Sequence, residues 1–240
     1  MESSLKSLIK AVEGKIVLTA ELEEMAQAIH NNAVPRIWKK ESYPSLMSLN
    51  EWLKDLHKRL AFFTNWIETG EPLVFWLPGF FSPQALLTAA LQRHSRTVKT
   101  AIDNLHFVHK IIGKIILSNA SQQLDFDEDS IFKAPETGIY VSGLWMTGGS
   151  WHSHEGHIVD VLPGKPNSPM PIIWFKPEII SNVTENEEEI YHCPLYVTST
   201  RGGVISTSGA SSNFITAISL PTREPSKWTL RACALLCQPN

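Results

Sequence analysis

Pro171-Ile172-Ile173-Trp174-Phe175-Lys176-Pro177 sets four consecutive β-branched or aromatic residues between two prolines, which is the composition of a buried strand. Proline cannot donate to a ladder, so the bracketing prolines place this strand near a sheet edge. Comparable short runs lie on either side: Ile139-Tyr140-Val141, Ile158-Val159-Asp160-Val161, Leu195-Tyr196-Val197-Thr198, Phe214-Ile215-Thr216-Ala217-Ile218, and the stretch from Thr229 to Leu236. Gly, Pro, Ser and Asn clusters separate them, and Arg201-Gly202-Gly203 reads as a hairpin turn because glycine reaches positive φ without a steric penalty. Strands at such near-regular intervals suggest a small barrel or sandwich over residues 105–240, with a small antiparallel β-barrel as the expectation.

Upstream of about Asn104 the pattern is helical. Leu5, Leu8, Ile9 and Val12 recur with helical spacing, as do Leu22, Met25, Ala26 and Ile29. A third helix begins at Ser48, where Glu51 three residues later completes a capping-box pattern. Its stripe is Trp52, Leu53, Leu56, Leu60, Phe63 and Ile67, with Lys54, Asp55, Lys58 and Arg59 expected to face water. Gly70 and Pro72 end it. Ser82 followed by Pro83 starts another helix, through Leu86, Leu87, Ala90 and Leu91. Between the two, Leu73 to Phe81 is an apolar knot too short for an independent helix, expected to fill the space between them. The fold class is therefore α+β: a helical subdomain over residues 1–104, then the barrel. Charge shifts at the same point, from 12 basic against 11 acidic residues to 9 against 13.

The chain has 240 residues, 43% of them hydrophobic and 19% charged, with a net charge of −3. That balance supports a core and excludes disordered and low-complexity classes. It gives no electrostatic basis for broad nucleic-acid binding. No apolar run approaches the ~18 residues of a membrane-spanning helix, and Met1 to Lys6 lacks the pattern that opens a signal peptide. Three cysteines (Cys193, Cys233 and Cys237) cannot make a disulfide framework and read as reduced, buried thiols. Cys233 and Cys237, four apart, would share one face of a strand.

Candidate chemistry is sparse. Gly-Lys pairs occur at Gly14-Lys15, Gly113-Lys114 and Gly164-Lys165, but none carries the spacing of a phosphate-binding loop. No dinucleotide-binding Gly-x-Gly-x-x-Gly opens a helix. The cluster His152-Ser153-His154-Glu155-Gly156-His157 could present three imidazoles to a metal, with His152, His154 and His157 as ligands. The simpler reading is a solvated hairpin tip turning at Gly156. Asp125, Asp127, Asp129 and Glu136 match calcium-loop positions, but Ser130 stands where the turn needs Gly, so an acidic loop is expected there and again at Glu185 to Glu189. Thr207 to Asn213 lacks a nucleophile elbow and reads as turn material. Asn182-Val183-Thr184 fits a glycosylation sequon, idle without export. No catalytic constellation emerges, so the residues alone describe a module without a catalytic site.

An ordered set of phrases resembles the C-terminal domain of dynein heavy chains. They are Val34-Pro35-Arg36-Ile37-Trp38, Ser42-Tyr43-Pro44-Ser45-Leu46, Pro72 to Phe81, Gly138 to Leu144, Pro169 to Trp174, and Tyr191 to Tyr196. They continue through Ser206 to Gly209, Ser212-Asn213-Phe214 and Leu220-Pro221-Thr222 to Arg231-Ala232-Cys233-Ala234-Leu235-Leu236-Cys237-Gln238. The set runs from about Leu22 to Gln238, and its ending is most similar to axonemal heavy chains. The departures are Lys114 to Gln123, which looks like added material, and His152 to His157.

The resemblance implies helices followed by a small barrel lying across the ATPase ring of a microtubule motor and tuning its motility. ATP, magnesium and the coiled-coil stalk would then belong to the parent heavy chain, and this segment would hold no cofactor. Implied partners are the ring of the same heavy chain, with microtubules and dynein intermediate and light chains reached through the parent. Neither nucleic acid nor membrane is expected, and the implied location is the cytoplasm, the cytoskeleton and the ciliary axoneme. Trp66, Phe80 and Phe81 are candidate ring contacts, each with core packing as the plainer role. The reading from another class is a free-standing barrel that binds a peptide or small ligand.

Overall fold

The computed structural model describes residues 1–112, 133–153, 155–161, 163–182, 189–200 and 213–239. The expectations for Gly113-Lys114, Lys114 to Gln123, Asp125 to Ser130, His154, residues 183–188, Arg201-Gly202-Gly203 and Thr207 to Ser212 lie outside them. The protein divides into two compact units, Met1–Glu68 and Thr69–Pro239, ahead of the change from helix to strand that the sequence places near Asn104.

The first unit contains α1 (Glu2–Val12), α2 (Ala20–His30), the short α3 (Arg36–Lys40) and most of α4 (Leu49–Thr69). Its core is Leu8, Met25, Val34, Trp38, Tyr43, Leu49 and Trp52. The Trp52 ring is stacked between Trp38 (centroids 6.4 Å apart) and Tyr43 (6.0 Å). Trp38 donates its indole N–H to Ser4 Oγ at 3.0 Å, and Tyr43 donates its hydroxyl to the Trp52 carbonyl at 3.3 Å. Of the capping box at the start of α4, the N-cap half forms: Glu51 donates its N–H to Ser48 Oγ at 3.5 Å, and that hydroxyl donates to Glu51 Oε2 at 3.2 Å. Asn32, at φ +53°, adds a second cap from a distance. Its carbonyl accepts the Leu49 N–H (2.8 Å) and its Oδ1 the Asn50 N–H (3.1 Å), satisfying donors that a helix start otherwise leaves open.

The expected stripe on α4 needs correction. Leu60 and Ile67 are exposed, while Arg59 is 2% exposed and paired with Asp55. Arg59 is seven residues, two turns, after Trp52, so it falls on the core face, where the Tyr43 ring covers its guanidinium at 3.5 Å.

In the second unit, β1 (Val74–Trp76) and a 3-10 turn (Leu77–Gly79) precede α5 (Pro83–Val98). The apolar knot is thus a strand and a turn in a sheet rather than filling between helices. Ser82 stands at the N-cap of α5 and Pro83 at its first position, though the Ser82 side chain makes no cap bond. The strands that follow are β2 (Leu105–Ile112), β3 (Ile139–Ser142), β4 (Trp145–Thr147), β5 (Ser150–His152), β6 (His157–Val159), β7 (Asn167–Pro169), β8 (Ile172–Ile179), β9 (Ile190–Thr198), β10 (Phe214–Pro221) and β11 (Ala234–Gln238). A helix, α6 (Pro225–Leu230), separates the last two. Thr229 and Leu230 are therefore helical, not the start of the final strand.

Two principal sheets form, in the orders β1-β3-β8-β2 and β10-β9-β11-β4-β7, and β5 pairs with β6 as a separate hairpin. The expectation of an antiparallel barrel fails on both counts. β1 runs parallel to β3, and β11 parallel to β9. No ladder closes the sheets into a barrel among the described residues. Parallel neighbours need long connections, and both pairs have them: α5 and β2 lie between β1 and β3 in sequence, and β10 and α6 between β9 and β11.

β8 is an interior strand despite its prolines. Its pairing with β3 ends at Ile139↔Phe175, whereas its pairing with β2 continues to Leu105↔Ile179. Pro177 sits beyond the end of β3, with its Cδ turned to the side of Gly138, so its missing N–H breaks no ladder bond there.

Candidate functional site

In the first unit, the C-terminal half of α4 gathers three half-exposed aromatic residues. Trp66 stacks on Phe63, with centroids 6.2 Å apart and 14° between planes, and meets Phe62 edge-on at 6.1 Å. Elsewhere in this unit, Ile9 and Val12 on α1 and then Ile16, Val17 and Leu18 in the loop to α2 are exposed, Val12 by 75% and Val17 by 82%. α1 turns Leu8 and Ala11 inward, so of the predicted stripe Ile9 and Val12 are left facing outward. Sequence reading missed this band, although three consecutive apolar residues after Gly14, where a turn between helices is ordinarily polar, signalled it.

In the second unit, Phe80 is half-buried, its ring 6.4 Å from that of Phe75, and Phe81 is 57% exposed. The candidates Trp66 and Phe80–Phe81 thus fall in different units.

The histidine hairpin forms as the sequence predicts, β5 and β6 joined through Gly156 at φ +69°, with His152 opposite His157 and ring centroids 6.3 Å apart. Both imidazoles are half-buried rather than fully solvated. His152 Nδ1 accepts the Glu155 N–H at 3.2 Å; a neutral His152 in that bond carries its proton on Nε2. His157 Nδ1 faces the Glu155 carbonyl at 3.3 Å, and its Nε2 lies 3.3 Å from Glu155 Oε2. Among the described residues, no three His, Cys, Asp or Glu side chains converge as a metal site. Cys193, Cys233 and Cys237 are all buried, and none is in a disulfide.

Next to that hairpin, a cleft of about 240 Å³ opens between β6 and α6. Lys227 reaches Asp160 at 3.1 Å and Glu224 at 3.4 Å, and Arg231 also donates to Asp160. The hydrogen bond from Lys227, with the nearby charge of Arg231, holds the Asp160 carboxyl below the ordinary range. Lys227 Nζ lies 4.9 Å from the centroid of the Trp228 ring, and the indole N–H donates to Thr222 Oγ1 at 2.8 Å. The lining sets the ion network of Asp160, Glu224, Lys227 and Arg231 over a buried indole, with His157, Thr222 and Arg223 beside it.

Comparison with known proteins gives the family. The family model for the C-terminal domain of dynein heavy chains matches residues 1–237. This protein belongs to that dynein family. It is 38% identical over 235 residues to dynein axonemal heavy chain 1 of Rattus norvegicus, covering 98% of its own length and 5% of the relative's. It is 36% identical over 247 residues to dynein axonemal heavy chain 6 of Homo sapiens (99% and 6%) and 38% identical over 239 residues to human dynein axonemal heavy chain 12 (99% and 7%). It therefore spans about one-twentieth of the length of these relatives. As a dynein C-terminal domain, it turns apolar side chains outward in both units, among them Val12 and Val17 in the first and Phe81, Ile180 and Leu230 in the second.

Proposed function

We propose that this domain is a mechanical brace of an axonemal dynein heavy chain, working in the ciliary axoneme. It packs across the ATPase ring of the same heavy chain and modulates motility, with no catalytic site or cofactor of its own. ATP hydrolysis with magnesium, microtubule binding and contact with intermediate and light chains belong to the rest of the motor. One observation carries the reading: the apolar band Ile9, Val12, Ile16, Val17 and Leu18 is left in water, although a side chain of this kind gains ~1.5–3 kcal/mol when buried. Such a band favours a covering surface from the same long polypeptide. Interfaces of that kind bury ~600–1,500 Å².

The test is made in the full heavy chain with Val12→Asp and Val17→Asp together. In the isolated domain these exposed substitutions leave stability within ~0.5 kcal/mol of wild type. In the motor they remove cross-links between the band and the ring, and they change ATPase rate or microtubule gliding by at least ~5-fold, the lower end of ordinary allosteric coupling. Unchanged cross-links together with unchanged motility would overturn the reading.

A further inference from the structure

The two sheets of the second unit meet at their unpaired outer strands, β2 and β10, and no backbone ladder joins those strands among the described residues. A side chain does so instead. Ser219, in β10, donates its backbone N–H to His109 Nδ1, in β2, at 3.2 Å. The His109 ring stands at 90° to Phe175, with centroids 4.7 Å apart. Its other nitrogen, Nε2, is sealed from solvent without a hydrogen-bond partner, as is Nδ1 of His106 on the same strand. Accepting at Nδ1 fixes the ring as the neutral tautomer protonated on Nε2.

We propose that His109 is a proton-sensitive clasp: neutral, it holds β10 against β2, and its protonation opens the seam between the two sheets. A proton on Nδ1 would turn the acceptor toward the Ser219 N–H as a second donor, and the bond would be lost. The new cation would be enclosed with no carboxylate among the described residues to balance it. The charged groups that bear on it are His106 from its own strand and His192 from β9, which can only repel it. β8 contributes the Phe175 ring, and β10 the Ser219 amide. The Ser219 hydroxyl faces His192 Nδ1 at 3.4 Å, so the third imidazole is tied to the same residue.

Burial, reinforced by His106 and His192, pushes His109 down to about 3 in the closed seam. Once open to water, the ring returns to the ordinary histidine range near ~6.5. Only the open form then takes up a proton between those values, so closure weakens as pH falls from ~6.5 toward ~3 and is indifferent above ~7. From pH 7.5 to 5.5 the open fraction rises about tenfold.

Amide hydrogen exchange of the 240-residue protein tests this, each rate being corrected for its intrinsic pH dependence. Ser219 and its β10 neighbours should lose protection about tenfold between pH 7.5 and 5.5, while Val141 and Ile173 in the β3–β8 ladder should not. His109→Asn places an amide oxygen near the position of Nδ1 but cannot titrate, so the response should disappear in that variant and persist in His192→Asn. A response that survives in His109→Asn, or disappears only in His192→Asn, would overturn the proposal. NMR titration of His109 in the unsubstituted protein is an independent check. The imidazole should stay neutral down to about pH 5, and titration near ~6.5 while Ser219 remains protected would also refute the clasp.

Discussion

Replacing Asp55 by Leu removes the counter-charge of a guanidinium that water barely reaches. Arg59 is 2% exposed and Asp55 12%, with Arg59 Nε 2.6 Å from Asp55 Oδ2. At that distance the gross attraction is ~6 kcal/mol at an effective dielectric constant of ~20. Taking both ions out of water costs several kcal/mol each, so the net worth of the intact pair is small. The single substitution is not small. It leaves the guanidinium in place without its carboxylate, over the face of Tyr43 3.5 Å away, and the expected loss is ~3–5 kcal/mol. Replacing Arg59 by Met as well removes the stranded charge and keeps an unbranched apolar stem, so the double variant should return to within ~1 kcal/mol of wild type. Urea unfolding followed by Trp fluorescence reads both values, because Trp38 and Trp52 lie in the same core. An Asp55→Leu loss below ~1 kcal/mol, or a double variant as unstable as the single, would refute the view of Arg59 as a buried ion held by its partner.

Two further outcomes follow from local geometry. A methyl group on Gly138 would stand 2.0 Å from the Phe175 carbonyl oxygen at φ +78°, whereas on Gly156 at φ +69° it would meet open space. By thermal melting, Gly156→Ala should cost only the ~1–2 kcal/mol of a left-handed residue, and Gly138→Ala ~1–3 kcal/mol more, because backbone has to move; equal losses would contradict the close approach of β8. Burial, strengthened by the Asp55 charge, raises the Tyr43 hydroxyl well above its ordinary range. The unfolded state then ionises first, so stability should fall as pH rises past ~10, less steeply in Tyr43→Phe, and tyrosinate absorbance that appears for Tyr43 before unfolding would exclude this.

Much of the fold was legible from one-dimensional pattern. Ser48 with Glu51 marked the start of α4 because a capping box lies within four consecutive residues. Ser82-Pro83 did the same for α5, and Ile172 to Phe175 announced β8 because all four side chains are apolar. The strands that went unmarked, β1, β2, β4, β5 and β7, are short or carry His, Lys, Ser and Asn, which local propensity does not favour. Of the site, the His152–His157 hairpin was visible because Gly156 is its turn. The cleft over Trp228 was not, since Asp160 and Lys227 are 67 positions apart and the helix α6 between β10 and β11 was read as strand.

The sequence by itself determined where several elements begin and membership of the dynein C-terminal family, because each rests on residue types in a fixed linear order. Only the tertiary structure decided that Arg59 lies inside, that β8 is interior although proline-flanked, and that the sheets stay open at β2 and β10. Each of these depends on what arrives from distant positions: the Tyr43 ring over a cation, β3 ending at Ile139, and which strands of the two sheets find a ladder partner. Burial and pairing are relations between distant segments. Periodicity reports only which side of its own element a residue occupies.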